Sequence, residues 1–336
     1  MDAAPDVLAE AAPSCVLGDM STWHVERYRD MGDYERAAVA VSGAPWVALK
    51  VKGGNVILAS LGLDPTKGIV FVDRIEIPSS PVYPVALDVD DRRLVLLTTS
   101  GINWNGDVEL WRIDRLSGAV AHTPVGQPPT DPAFTASTAI GLAGDDIVLA
   151  YARLAGTQGT IELRDDTLQV LQSMQIADVS FTAARASPSA IDIYAGADNR
   201  VRAEAGMLGQ LPVDPAWPVI GGLNGFLVET GDQIRMTNGT QVWSAAWPDT
   251  QISPPAIVRT GLGSAAFSLE TELTPVVGHV TAAGLQWLSI QSAPGAPGTG
   301  EGLLPVIEPG RLGVFYLGLE IPSPQQPLRY FGLSCP

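Results

Sequence analysis

One stretch in the first half of the chain decides the fold, and it reads Gly106-Asp107-Val108-Glu109-Leu110-Trp111-Arg112-Ile113-Asp114. Apolar and polar side chains alternate along most of it with a period of two, which is the pattern of a half-buried β-strand. The stretch begins at a glycine and ends at an aspartate, a residue type that starts turns. Residues 115–120 then carry a turn signal and the start of another run. Together they predict a strand, a turn and a second strand.

Two further stretches repeat this form, residues 68–73 and residues 159–165, each running from a glycine to an aspartate. Clusters of Gly, Pro, Asn and Asp separate such runs, and the chain contains 35 Gly and 27 Pro. The clearest hairpin has Asn238-Gly239 between two alternating runs, because Asn-Gly supplies the two positive-φ residues of a type I′ turn. These patterns predict an all-β chain of many short antiparallel strands.

The strands also group into units whose starts lie 35 to 52 residues apart. A period of about 40–50 residues, with several strands in each unit, is typical of β-propeller blades. We therefore predict a β-propeller of seven four-stranded blades. Six or eight blades, or a pair of β-sandwiches divided near residues 124–132, are the alternatives. The predicted units begin at Val39, Pro84, Thr135, Ser180, Ala216, Gln251 and Leu303.

The deciding stretch also resembles a known kind of blade. Residues 106–120 are similar to the strand–turn–strand of propellers built from pyrroloquinoline-quinone-type or WD-like blades. The resemblance covers about 20 residues of one unit and extends more loosely to two others. Tryptophan-docking repeats, the Asp-box of sialidases and the YWTD pattern are not visible in the sequence. The resemblance thus implies the propeller architecture and no particular family.

The two ends of the chain are predicted to meet. Seven units leave the alternating residues 23–28 unassigned, and residues 328–333 form a matching run near the C-terminus. Pairing of these runs would complete the last blade, close the ring by N- and C-terminal strands and remove open sheet edges. We therefore expect a single β-propeller domain over residues 22–336, preceded by an N-terminal segment of residues 1–21.

The same closure would bring together the only two cysteines, Cys15 and Cys335, and we predict a disulfide between them. Disulfides persist in oxidising compartments, so we expect an extracytoplasmic protein that is periplasmic, cell-surface or secreted. Residues 1–14 lack the basic and apolar regions of a signal peptide, and residues 12–15 weakly resemble a lipoprotein cleavage box. With three Lys among 20 basic residues, and abundant Ala, Gly and Pro, the composition is typical of a high-GC bacterium.

Charge and hydropathy limit the partners. The chain carries 36 acidic and 20 basic residues, a net charge of -16 and a pI near 4.5. Nucleic acid recognition needs a basic surface, so this class of partner is excluded. The sequence contains no run of 18 apolar residues, and we expect no transmembrane helix. We expect a monomer that recognises a protein or a carbohydrate.

One aromatic loop residue is a candidate for that recognition. Trp104 lies between Asn103 and Asn105 in an excursion between two predicted strands. An exposed Trp with amide neighbours suits contact with a sugar or a peptide, so these three residues are the predicted ligand-binding site. The alternative is that Trp104 caps the edge of its sheet. Trp111, by contrast, alternates within a strand and is predicted to pack between blades, as are Trp243 and Trp287.

Acidic clusters occupy three of the predicted turns, at residues 88–91, 144–146 and 164–166. Carboxylates in loops are ligands for calcium, but the Asp, Gly and Glu spacing of an EF-hand loop is missing. Turn formation explains the clusters without a metal, so we expect no cofactor and keep calcium as the alternative. The three histidines, His24, His122 and His279, show no metal-ligand spacing and are expected to be surface or core residues.

The sequence favours a non-catalytic, exported binding or scaffold propeller whose partner, protein or glycan, meets one rim of the ring. The alternative is a propeller-type hydrolase or lyase with Asp and Glu side chains at the central channel. No nucleophile motif such as Gly-x-Ser-x-Gly is present to select a reaction.

Overall fold

The described part of the chain is built from β-strands alone. In the computed structural model these residues form 27 strands between His24 and Ser334. Side chains are described from Trp46 to residue 212, except in the backbone gaps given in the next sentence and at residues 63, 182, 184–187 and 194. The backbone description leaves out residues 1–23, 43, 52–53, 65, 78–81, 101–106, 126–137, 153–157, 178–180, 188, 196–198, 213–218, 223–224, 231–232, 238–241, 247–255, 262–263, 271–274, 282–283, 290–302, 309–310, 318–325 and 335–336.

The strands are short, apart from the first, and follow one another with few residues between them. In chain order they are β1 (His24–Ser42), β2 (Ala44–Val51), β3 (Val56–Asp64), β4 (Gly68–Ile77), β5 (Tyr83–Val89), β6 (Arg93–Thr99), β7 (Val108–Asp114), β8 (Val120–Pro124), β9 (Ala139–Ala143), β10 (Asp146–Ala152), β11 (Gly159–Arg164), β12 (Val170–Ile176), β13 (Phe181–Ser187), β14 (Ala190–Ala195), β15 (Asn199–Glu204), β16 (Met207–Leu211), β17 (Val219–Gly222), β18 (Gly225–Thr230), β19 (Gln233–Thr237), β20 (Val242–Ala246), β21 (Ala256–Gly261), β22 (Ser264–Glu270), β23 (Pro275–Thr281), β24 (Gly284–Ser289), β25 (Leu303–Glu308), β26 (Arg311–Leu317) and β27 (Gln326–Ser334).

Every strand pairs antiparallel with its neighbours in the sheet. Five sheets have four strands each, in the orders β5 to β8, β9 to β12, β13 to β16, β17 to β20 and β21 to β24. A sixth sheet has seven strands in the order β25-β26-β27-β1-β2-β3-β4. Within the four-stranded sheets, strands adjacent in sequence are adjacent in space, as expected for short hairpin connections.

The long strand β1 is shared between two sets of partners. Its first half pairs with β27, from His24 opposite Ser334 to Tyr34 opposite Gln326. Its second half pairs with β2, from Tyr34 opposite Val51 to Ser42 opposite Ala44. The strands that contain the predicted runs 23–28 and 328–333 thus pair, with residues 24–28 opposite 331–334 and residues 29–31 opposite 328–330. The two halves of β1 serve different neighbours and overlap only at Tyr34.

The predicted unit starts agree with the sheets. After Val39, which lies inside β1, each predicted start falls inside the first strand of a sheet or within five residues before it. The deciding stretch becomes β7 and residues 159–164 become β11, the third strands of their sheets. Residues 68–73 lie in β4, a fourth strand, so this stretch is not equivalent to the other two. The predicted all-β class is confirmed.

Alternation of strand direction gives each sheet two ends. On one end, here called the turn side, the described connections are short, and the longest are residues 115–119 and 165–169. The other end, here called the loop side, carries the connections from the second to the third strand and from sheet to sheet. The longest of these are residues 100–107, 125–138, 247–255, 290–302 and 318–325.

The described core lies between neighbouring sheets. Trp46, Leu58, Leu96 and Trp111 belong to one cluster, which joins the sheet of β2 to that of β5–β8. A second cluster joins β5–β8 to β9–β12, and a third joins β9–β12 to β13–β16. Alternate residues of one strand, such as Leu96 and Leu97, therefore face different neighbouring sheets. The prediction that Trp111 packs between blades is confirmed.

Candidate functional site

The predicted ligand-binding residues Asn103, Trp104 and Asn105 lie outside the described residues, so the structure locates only the base of their loop. That loop joins β6 to β7 on the loop side. At its base the Ser100 N–H donates to the Asp107 carbonyl at 2.9 Å, and the Asp107 N–H donates to Ser100 Oγ at 2.8 Å. The loop therefore starts and ends on a hydrogen-bonded pair.

A buried lysine lies towards the loop side, between the sheet that contains β2 and the sheet of β5–β8. Lys50 is 3% exposed, and its Nζ donates to the Gly54 carbonyl at 2.5 Å. The same Nζ lies 5.6 Å from the ring centroid of Tyr83, the first residue of β5. A cation over an aromatic face is attracted by the ring quadrupole. This contact fixes the start of β5 against β2.

A second polar group runs along the sheet of β9–β12, from Tyr151 near the loop side to Arg164, whose Nη1 donates to the Leu168 carbonyl on the turn side at 2.9 Å. The Tyr151 hydroxyl donates to Glu162 Oε1 at 2.8 Å, and Arg164 donates to Glu162 Oε2 from Nε at 2.9 Å and from Nη2 at 2.6 Å. Burial, followed by the Glu162 charge, raises the pKa of Tyr151, so this phenol stays protonated. Glu162 and Arg164 form a buried, mutually satisfied ion pair.

The turn side is dominated by one arginine. Arg93 begins β6, and its side chain is 3% exposed. Its guanidinium donates to Asp90 Oδ2 at 2.9 Å and 3.1 Å, to Asp166 Oδ1 at 3.1 Å and to the Asp145 carbonyl at 2.7 Å. It also donates to the Gly144 carbonyl. Asp90 belongs to the same sheet as Arg93, whereas the other three belong to two turns of the next sheet. Arg93 therefore ties two sheets together.

Electrostatics favour the charged form of this arginine. Burial alone would lower the pKa of Arg93, but the hydrogen bonds and charges of Asp90 and Asp166 outweigh burial and raise it. Arg112, from β7, adds a second bond to Asp166 with Nε at 3.0 Å from Oδ1. Two arginines thus share one carboxylate that comes from the neighbouring sheet.

The same side continues to the preceding sheet through Arg115. Its Nη1 donates to the Asp90 carbonyl, and its guanidinium lies 4.7 Å from the centroid of the Trp46 ring. Trp46 is 1% exposed, and its Nε1 has no hydrogen-bond partner among the described residues. Among the described residues, the Trp46 indole therefore interacts with a polar group through the cation–π contact with Arg115. Trp46, Arg115, Asp90, Arg93 and Asp166 together form a chain of contacts across three sheets, here called the arginine clasp.

The predicted acidic clusters supply most of the acceptors of this clasp. Asp90 and Asp166 bind arginine, and Asp88 Oδ2 accepts from the Leu142 N–H of the next sheet at 2.8 Å. Asp165 closes its turn by accepting from Thr167 Oγ1 at 2.7 Å, and this bond lowers its pKa. Among the described side chains, no three His, Cys, Asp or Glu residues are arranged to hold a metal ion. The calcium alternative stays a prediction.

Asp146 has the opposite titration behaviour. Burial, and then the charges of Asp145 and Asp165, raise the pKa of Asp146, although the Gly206 N–H and Arg93 act against the shift. Gly206 belongs to the turn between β15 and β16, so Asp146 contacts the next sheet. The turn side is therefore connected from sheet to sheet beyond the arginine clasp.

His122 is the described histidine. Its ring stacks on Trp111 with centroids 4.3 Å apart, and Nδ1 lies 3.5 Å from Glu109 Oε2. The side chain is about half exposed, in agreement with a surface role. The side chains of His24 and His279 lie outside the described residues.

Sequence reasoning did not single out Arg93. The signal was present, because Asp90, Asp145 and Asp166 all lie in turns that the repeat period places at the same end of adjacent sheets. The repeat period does not show which arginine side chain reaches these turns. The structure shows that the common donor is Arg93 and not the exposed Arg92.

Comparison with known proteins supports the fold and goes no further. No protein-family model and no curated protein matches the chain. Apo AztD from Citrobacter koseri is 11% identical in its solved structure, over 89% of this chain and 90% of that one, with a TM-score of 0.50. YCF48 bound to D1 peptide is 7% identical, over 94% of this chain and 96% of that one, with a TM-score of 0.51. Both are β-propellers, and this chain has the β-propeller fold. Within its described residues, no helix is long and apolar enough to cross a membrane.

Proposed function

We propose that the chain is a binding propeller that takes a protein or carbohydrate partner on its loop side, with Trp104, Asn103 and Asn105 in the contact. The observation that carries this proposal is the asymmetry between the two sides. Long connections gather on the loop side, whereas the turn side has short connections tied together by the buried guanidinium of Arg93. Long loops on a rigid scaffold are where binding residues concentrate.

We further propose that the propeller has seven four-stranded blades and forms one domain over residues 22–336. The seven-stranded sheet divides naturally at Tyr34, because β1 pairs with β27 before this residue and with β2 after it. Divided there, it yields two four-stranded blades in addition to the five other sheets. Contacts between β2 and β25 add support for a ring closed at this seam.

The fold has been seen with a peptide in one related structure. YCF48 was solved bound to D1 peptide, so a propeller of similar architecture can hold a peptide. At 7% identity this is an analogy between folds and does not transfer a residue or a ligand.

Export is proposed on the basis of the cysteines. The pairing of His24 with Ser334 brings the described ends of the chain side by side. Cys335 follows Ser334 directly, and Cys15 precedes His24 by nine residues. A span of nine residues reaches about 30 Å, so the two thiols can meet. Intact mass measured without reductant tests the bond, and two alkylatable thiols in protein from an oxidising compartment would contradict it.

The binding proposal is tested by probing one printed glycan array and one random-peptide array with wild type and with Trp104→Ala. We expect the wild type to give specific signals that fall at least about tenfold in the variant, since aromatic anchors dominate binding energy. Leu116→Ala is the matched control. Leu116 is 90% exposed and lies on the turn side, so its removal deletes a large apolar side chain from the other side.

Equal loss of signal in both variants would contradict the assignment to the loop side. Array signals that persist in Trp104→Ala would contradict the role of this loop. A thermal melt of each variant, matching that of the wild type, excludes loss of fold as the cause.

A further inference from the structure

The outermost strands of the five four-stranded sheets contain no charged residue, and three of them, in adjacent sheets, are exposed where side chains are described. The three exposed strands are β8 (VAHTP), β12 (VLQSMQI) and β16 (MLGQL), and each pairs with another strand on one side only. In contrast, the outermost strand β4 carries Asp73, Arg74 and Glu76, all exposed. Charged side chains on an edge strand normally prevent pairing with another chain. The edges of β8, β12 and β16 lack this protection.

Exposed apolar side chains cluster in the same three hairpins. Among the described residues six large hydrophobic side chains are exposed, and five of them lie in the turn or outer strand of these hairpins. Single exposed hydrophobic residues are ordinary, but a row of them marks an interaction surface. The five residues are Leu116, Val120, Val170, Leu171 and Met207.

Hydrogen bonds hold the three hairpins next to one another. Arg112 of β7 binds Asp166 in the turn before β12. Gln172 of β12 accepts from the Leu208 N–H of β16 at 2.8 Å through Oε1. Strands β12 and β16 are therefore in direct contact, and the sheet of β8 is tied to the sheet of β12; these three strands are here called the neutral band.

We propose that β12, the middle strand of the neutral band, pairs edge to edge with β12 of a second copy. Two chains of net charge -16 repel wherever their carboxylates face each other. At the neutral band, two antiparallel edges can pair without placing like charges opposite each other. Like charges in directly opposite positions would destabilise the pairing. A second copy brings the same neutral edge, so the contact has two-fold symmetry.

The register of this pairing follows from a bulge in β12. Arg164 lies opposite Val170 and Leu163 lies opposite Gln172, so Leu171 is the extra residue. The regular part of the β12 edge therefore runs from Gln172 to Ile176. The two-fold axis of the proposed dimer passes through its middle residue, Met174. Ser173, an exposed residue, then faces Gln175 of the second copy. The proposed association gives a weak dimer, whereas the sequence predicts a monomer.

The affinity is expected to be low. Edges of this length bury less than the about 1,600 Å² of a standard interface, so we expect a Kd of about 10–100 µM. Salt screens the repulsion between two acidic chains, so association should strengthen as the ionic strength rises.

Sedimentation velocity of the full chain tests the proposal over about 5–300 µM, in about 50 mM and about 300 mM NaCl. The wild type should shift towards a dimer with concentration, and more so at the higher salt. Ser173→Lys, which puts two ammonium groups near the two-fold axis, should weaken the dimer at least about tenfold. Gln210→Lys is the matched control, because it adds the same charge at an exposed position of β16 and should leave the dimer intact.

A wild type that stays monomeric at the highest concentration and both salts overturns the proposal. Equal loss in Ser173→Lys and Gln210→Lys overturns the assignment to β12, as does a dimer that Ser173→Lys leaves unchanged. Both positions are exposed, so both variants should melt with the wild type.

Discussion

The turn side and the loop side of this propeller are built from the same strands, but they solve different problems. On the turn side, Arg93 is buried and donates to a carboxylate and two carbonyls of the next sheet. On the loop side, the connection that carries Trp104 rests on one hydrogen-bonded pair at Ser100 and Asp107. Several hydrogen bonds of one buried arginine join adjacent sheets on the turn side, whereas the loop side has the Lys50–Tyr83 contact between sheets and carries the long connections.

This difference has a physical origin in the connections. A short turn leaves its Asp and Arg side chains close to the sheet next to it, where the low dielectric strengthens an ion pair that is fully hydrogen-bonded. A long connection is free to vary without disturbing the sheets. We therefore expect turn-side substitutions to change stability, and loop-side substitutions to change binding. Four predictions test that division, from the largest expected effect to the smallest.

The largest effect is expected for Arg93→Met. The substitution leaves Asp90 Oδ2, and part of the hydrogen bonding of Asp166, without a donor, whereas Asp90 Oδ1 still accepts from the backbone N–H groups of residues 92 and 93. Removing one partner of a fully buried pair costs about 3–5 kcal/mol, and we expect the lower limit, about 3 kcal/mol, because Asp90 and Asp166 are partly exposed and Asp166 keeps Arg112. Equilibrium unfolding in urea measures the loss as a lower midpoint at constant slope.

Arg92→Met is the matched control, because it removes the same charge one residue away. The Arg92–Asp145 pair is exposed, with side-chain exposures of 68% and 86%. Exposed pairs contribute less than about 1 kcal/mol. If both variants lost similar stability, net charge rather than the clasp would be responsible.

How much of this division the sequence predicts depends on the range of the interaction. Strands and repeat period were predictable, because alternation and turn residues are local signals, and the unit starts agree with the sheets. Even there, register required the structure: in the Asn238-Gly239 hairpin, Thr237 lies opposite Val242, so four residues rather than two separate the paired positions. The shared strand β1 was predictable in part, since residues 23–28 showed the right alternation.

The clasp itself was not predictable in the same way. Asp166 lies 73 positions from Arg93 along the chain, and no local pattern links the two residues. The acidic clusters were recognised as turn residues, which Asp165 confirms by accepting hydrogen bonds within its own turn. Their second role arises only when adjacent sheets align their turns at one end. The sequence alone therefore does not predict which turn residues of adjacent sheets lie next to each other.

A smaller effect is expected for Tyr151→Phe, which tests the residue of this polar group that lies towards the loop side. The change removes one hydrogen bond to Glu162, while Arg164 continues to satisfy the carboxylate. A hydrogen bond to a charged carboxylate contributes about 1.5–3 kcal/mol, and the bonds that Arg164 keeps favour the lower limit. Urea unfolding should show this modest loss, and a loss as large as that of Arg93→Met would mean that stability is not concentrated on the turn side.

The next prediction concerns the sign of a pH effect on the turn side. The pKa of Asp146 is raised in the fold, so its charged form is disfavoured there. The cost exists above the folded pKa, shrinks as the pH falls through it and is gone below the unfolded value near 3.9. Asp146→Asn keeps an acceptor for the Gly206 N–H, so its Tm should exceed that of the wild type by about 1 °C at pH 7.

Asp165→Asn should behave in the opposite way. The pKa of Asp165 is lowered by its bonds to Thr167 and Gln169, so its charged form stabilises the fold above the unfolded pKa. That contribution is lost as the pH falls through the folded value. Melting curves from pH 7 to about pH 3 should therefore bring both variants towards the wild type, one from above and one from below. Shifts of the same sign at pH 7 would contradict the assignment.

The smallest stability change is expected on the loop side itself, for replacement of residues 101–106 by a Gly/Ser linker of equal length. Ser100 and Asp107 remain, so the hydrogen-bonded base that joins β6 to β7 is kept. Loop residues beyond such a base contribute little to stability, and changes away from buried features stay within about 0.5 kcal/mol. Urea unfolding should superimpose on that of the wild type, while the Trp104-dependent array signals disappear. A midpoint as low as that of Arg93→Met would mean that this loop helps to hold the sheets, and the two sides would then not differ in kind.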